Sequence, residues 1–118
     1  MSLLTDLQAY GADIQDGLKR FVNNAALYEK MLKKFPAAAA GLPVMEHFQS
    51  GDYDTAVANA HTLKGMTGNL SLTPLYEAYT QIVALLREGK PEEAQVLLIR
   101  ILPVQEKIVA CITEHMQG

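Results

Sequence analysis

The sequence predicts an all-α protein, an up-and-down four-helix bundle with one or two short additional helices at the N-terminal end. Three observations predict it. Apolar residues recur at helical spacing through most of the chain. Strand signals are nearly absent, because no alternating run of β-branched and aromatic residues survives beyond a few positions. Short connections marked by Gly and Pro separate the longer segments, which favours antiparallel neighbours.

The elements follow in order. A short segment runs from about Leu3 to Tyr10 and ends at Gly11. A second, from about Asp13 to Val22, carries Ile14, Leu18 and Phe21 toward one side. Asn23 or Asn24 can cap the next helix, whose apolar stripe is Leu27, Tyr28, Met31, Leu32 and Phe35. Pro36, Gly41 and Pro43 mark interruptions around an alanine tract. Asp52 is the expected N-cap of a helix reaching about Leu70. Thr73 and Pro74 read as a capping threonine followed by proline at the first helical position, and that helix stops near Gly89. Pro91 with Glu92 and Glu93 starts the last helix, and Pro103 inside it is expected to kink or split it.

At 118 residues the chain is read as one domain, 1–118. A chain of this size buries roughly two-thirds of the surface its unfolded form exposes, enough for one core without staples. A formal net charge of −3 argues against sequence-independent attraction to nucleic acid or an anionic membrane. No apolar run approaches the ~20 residues needed to span a bilayer, so no membrane insertion is expected. With no basic segment leading into an apolar stretch at the N-terminus, a cytoplasmic location is the default expectation. The one cysteine, Cys111, reads as a buried, reduced core thiol.

The chemistry lies in Ala60-His61-Thr62-Leu63-Lys64-Gly65-Met66-Thr67-Gly68-Asn69-Leu70. On a helix, His61, Lys64, Gly65 and Gly68 fall at i, i+3, i+4 and i+7 and share one narrow stripe. Ala56, Ala60, Leu63, Thr67 and Leu70 cluster on roughly the opposite side, so His61 is expected to face water. Each helical glycine costs about 0.5–1 kcal/mol relative to alanine. Both lie on the histidine's stripe and not on the core stripe, so close helix packing explains them poorly. They would instead clear space beside the imidazole for a bulky partner. An imidazole in water is substantially neutral at neutral pH, so a ring nitrogen is available as a nucleophile. Lys64 could hold phosphoryl oxygens through charge-assisted hydrogen bonds. The residues alone leave two alternatives open: a solvated surface histidine or an accessible nucleophile.

His-x-Leu-Lys-Gly followed by Gly68-Asn69-Leu70 resembles the signature of the histidine phosphotransfer (HPt) domain family. The resemblance extends outward through Asp13-Ile14, Gly17-Leu18-Lys19-Arg20-Phe21, Asn24, Leu27-Tyr28, Leu32 and Phe35, and on to Leu75 and Arg87-Glu88-Gly89, covering roughly residues 10 to 112. It implies that His61 accepts a phosphoryl group and that Lys64 steadies it. Gly65 and Gly68 would keep the surface open, and Asn69 would help fix the helix end. It also implies exchange with an aspartate on a response-regulator receiver domain that brings any magnesium, with a hybrid sensor histidine kinase as a further expected partner or as the larger protein of which this chain is a piece. No cofactor and no enzymatic turnover of its own are implied. Two positions depart from the family pattern. Ser71 stands where Gly is usual, so a different turn is expected; Ile82-Val83 replace a common Leu-Glu pair and should make that face more apolar.

Val57 falls near the His61 stripe and is expected to give apolar contact to the docking face, along with Ala58. No metal site is expected: His47 and His115 are read as surface residues without ligand spacing to a carboxylate or thiol. The competing readings are a helical adaptor that docks a partner without phosphoryl chemistry, and the substrate domain of a chemotaxis-type kinase.

Overall fold

Short polar side chains decide where four of the helices begin. The computed structural model describes residues 2–116, and the regular structure among them is α1 Leu3–Gln8, α2 Ile14–Arg20, α3 Ala25–Leu32, α4 Phe35–Ala40, α5 Met45–Gln49, α6 Tyr53–Asn69, α7 Thr73–Arg87 and α8 Pro91–Met116. Ser2, Asp13, Asn24 and Asp52 each accept a hydrogen bond from the backbone N–H three residues on. Each such bond satisfies a donor that helix geometry leaves free.

The three long helices make the body. α7 packs along both α6 and α8, while α1, α4 and α5 lie against α8. The fourth side is assembled from short helices: Tyr28 and Leu32 of α3 and Phe35 of α4 are fully buried in the same core as Leu63, Tyr79, Leu98 and Ile112. Each large apolar side chain buried this way stabilises the fold by about 1.5–3 kcal/mol. The all-helical bundle that the sequence predicts is therefore present. No helix among the described residues is long and apolar enough to cross a membrane.

Several local expectations are corrected. The stripe from Leu27 to Phe35 is not one helix, because Pro36 could not donate to the Leu32 carbonyl and its ring would clash there. The chain turns at Lys33 and Lys34 and restarts as α4, with Pro36 in the first turn. The alanine tract is helical, and α5 is an additional helix between Pro43 and Gly51. Thr73 is not a cap: the N-cap of α7 is Leu72, fully buried and without a side-chain capping bond, so core burial places this boundary. Pro103 does not split α8, which runs unbroken for 26 residues. Pro103 is exposed, and Leu98, Ile101, Ile108 and Ile112 hold both halves of the helix in the core. Ile82 and Val83 are buried, so they build the core and not a partner-facing surface.

The corner between α6 and α7 is tied down from α2 and α3. The Tyr28 hydroxyl donates to the Leu70 carbonyl at 2.7 Å. A Cβ on Gly17 would lie 2.2 Å from the Tyr28 hydroxyl oxygen, so only glycine lets the phenol through. The Phe21 and Tyr28 rings stack with centroids 5.2 Å apart.

Replacing Tyr28 by Phe should cost about 1–3 kcal/mol in urea unfolding, because it strands the Leu70 carbonyl. Burial pushes the Tyr28 hydroxyl up from 10.0 to about 12. The protonated form is thus favoured in the folded state, so the stability it carries is complete below pH 10 and is lost as pH rises toward 12. A pH series of unfolding midpoints should show a fall across that window, shallower in Tyr28→Phe.

Candidate functional site

α6 is gripped on one side only. Ala56, Ala60, Leu63 and Thr67 are buried, as is Leu70 just beyond the helix end. The Thr67 hydroxyl donates to the Leu63 carbonyl at 2.8 Å, so the core accepts it without an orphaned polar group. The helix phase then puts His61, one turn from Lys64 and Gly65, on the exposed side. Lys64 is half-buried and makes no ion pair with any described residue.

The two glycines of the stripe differ. A Cβ on Gly65 would meet nothing within 4 Å, so this glycine leaves open surface beside the imidazole. A Cβ on Gly68 would come within 2.9 Å of the Tyr76 ring on α7. Close helix packing therefore does explain Gly68, contrary to the reading from the stripe alone. The ring could not be placed before the α6–α7 packing was known.

Beyond Gly65 the surface drops into a recess of about 380 Å³. Lys64, Gly65, Gly68 and Asn69 form its α6 wall; Asp16 and Arg20 come from α2, and Ser71, Thr73 and Tyr76 close it. His61 lies outside the recess, at the near end of the stripe. The Asp16 carboxylate accepts from Arg20 Nε at 2.8 Å and from the Ser71 hydroxyl at 2.7 Å. The bonds from Arg20 and Ser71 hold its pKa below the ordinary value of 3.8. Asp16 thereby positions Arg20 at the recess wall, a role the sequence signal at Asp13–Phe21 did not disclose.

Ser71 itself adopts the left-handed conformation, φ 55°, that glycine takes without strain. The backbone at this turn therefore takes the glycine-type region, not the different turn expected. The bond to Asp16 and an N–H from Asp13 to the Ser71 carbonyl, 2.9 Å, hold it there.

The remaining candidates separate in the same way. Val57 is half-buried and packs on the core, whereas Ala58 is exposed. Asn69 is exposed and makes no side-chain hydrogen bond among the described residues, so the helix end is fixed by the Leu70 and Ser71 backbone instead. Among the residues lining the recess the one carboxylate is Asp16, engaged by Arg20 and Ser71. His115 departs from its surface reading: it is only 25 % exposed and pairs with Asp6. Cys111 is buried, as expected.

Replacing Gly65 by Ala should stabilise the fold by about 0.5–1 kcal/mol through helix propensity. Gly68→Ala should fall short of that gain by about 1 kcal/mol or more, because Tyr76 must move. Urea midpoints of the two variants decide it; equal gains would remove the packing role given to Gly68.

The family model described as Hpt domain matches residues 2–113, a wider span than the motifs alone covered. Compared with curated proteins and with solved structures, the chain finds no significant match. With the match spanning nearly the whole bundle, the chain belongs to the Hpt domain family, helical modules of two-component phosphorelays that carry phosphohistidine.

Proposed function

We propose that this chain is a phosphoryl carrier, not an enzyme with turnover of its own, and that His61 is the acceptor. The observation that carries the reading is an exposed histidine one turn from a half-buried lysine and from a glycine with open space above it. A neutral ring nitrogen of His61 would attack the phosphorus of an aspartyl phosphate on a receiver domain. The N–P bond forms as the P–O bond to the aspartate breaks, and the carboxylate leaves with the electron pair. The reverse transfer loads the next receiver. Such transfer depends on in-line placement and charge stabilisation more than on strong bases. The receiver would supply the magnesium, and Lys64 would stabilise phosphoryl oxygens as the group moves.

Openness at Gly65 is needed because the donor is another folded domain. Ala58 extends the bare surface on one side, and Val57 contributes its half-exposed edge. Arg20 and Tyr76 border the other side and add a cation and an aromatic ring to the docking face. A hybrid sensor kinase is the natural upstream source, and a cytoplasmic location follows from that chemistry.

Incubation with a phosphorylated receiver domain should place acid-labile, alkali-stable phosphate on the wild-type chain and none on His61→Gln. Lys64→Ala should slow transfer about tenfold or more, the loss of one charge-assisted bond. Gly65→Leu should block loading from the receiver yet still accept label from a small phosphoryl donor. A charged residue at Val57 should also lower transfer. Absence of label on the folded wild-type chain, with receiver binding unchanged in His61→Ala, would replace this reading with the adaptor.

A further inference from the structure

Cys111 and His115 are four residues apart near the end of α8, a spacing that stacks their side chains on one helix face. The fold brings Asp6 of α1 against that face. His115 Nε2 lies 2.7 Å from Asp6 Oδ2, across 109 residues of sequence. The Cys111 sulfur completes the group: one nitrogen, one sulfur and one carboxylate oxygen all lie within 4.8 Å of one another. None of the three lines the recess beside His61.

We propose that Asp6, Cys111 and His115 form a site for a zinc-class divalent cation that fastens α1 to the C-terminal end of α8. The donor chemistry selects the class. A thiolate and an imidazole suit zinc, whereas magnesium and calcium demand oxygen ligands, of which this set has one. Ordinary zinc–ligand bond lengths put tetrahedral nitrogen and oxygen donors on the order of 3.4 Å apart. The His115–Asp6 pair would thus open by less than an ångström to admit the ion. Cys111 would give up its thiol proton to solvent on binding. The fourth position falls to water or to Glu114, which lines a separate surface recess together with Asp6 and Cys111. Lys107 lines that recess too.

The test uses the full chain, reduced and stripped of metal. Calorimetric titration with zinc sulfate should give one ion per chain at micromolar affinity or tighter, and the melting temperature should rise with zinc. Cobalt(II) in place of zinc should give a thiolate-to-cobalt charge-transfer band, absent in Cys111→Ser. Cys111→Ser, His115→Gln and Asp6→Asn should each weaken zinc at least tenfold. His115 and Asp6 are partly exposed, so those variants should fold even if Cys111→Ser does not. A double His47→Gln, His61→Gln variant should bind as wild type. No zinc uptake at high micromolar concentration overturns the site, as does uptake that survives all three ligand variants or disappears in the double variant.

Discussion

The Tyr28 hydroxyl donates to the Leu70 carbonyl, and the adjoining Ser71 is held through its hydroxyl by Asp16 and through its carbonyl by the Asp13 N–H. These three bonds join α2 and α3 to the corner where α6 turns into α7. That corner fixes the C-terminal end of α6, while burial of Ala56, Ala60, Leu63 and Thr67 sets which face stays bare. Gly17 is required so that Tyr28 can reach it, and the same Asp16 oxygen that receives Ser71 also receives Arg20. Of these bonds the one from Tyr28 to Leu70 is buried, where leaving a polar group unsatisfied would cost most. No buried side-chain nitrogen or oxygen among the described residues lacks a partner.

That anchorage lets α6 expose a nearly unobstructed stripe. A helix is ordinarily stabilised by burial on one face and by propensity elsewhere. α6 gives up propensity at Gly65 and Gly68, yet the reasons differ. Gly68 gains close approach to Tyr76, which joins α6 to α7; Gly65 gains nothing for stability and leaves open surface. The distinction separates a packing glycine from one that leaves open surface within a single stripe. On that stripe His61 is exposed beside a half-buried Lys64 that pairs with no described residue, in keeping with an Hpt domain.

Much of this was legible in the residues. The 3.6-residue period put Ala56, Ala60, Leu63, Thr67 and Leu70 on the buried side and His61 on the open side, and Asp52 caps α6 as its chemistry requires. Less was legible where local signals competed with packing. Thr73 has the chemistry of a cap, but burying Leu72 set the start of α7. Pro103 breaks one hydrogen bond, but apolar residues on both sides keep α8 continuous. Ser71 lacks the freedom of glycine, yet its hydrogen bonds hold the left-handed turn.

By itself the sequence determined the helical class, the phase of α6 and the His61 stripe, because periodicity and capping act within a few residues of chain. The tertiary structure alone decided which side chains from distant segments meet. Arg20 at the recess wall, Tyr76 over Gly68, Tyr28 at the Leu70 carbonyl and Asp6 beside His115 are contacts between elements. Their partners lie far apart in sequence or on separate helices, so no local spacing encodes them. They exist because one shared core fixes how the helices lie against one another.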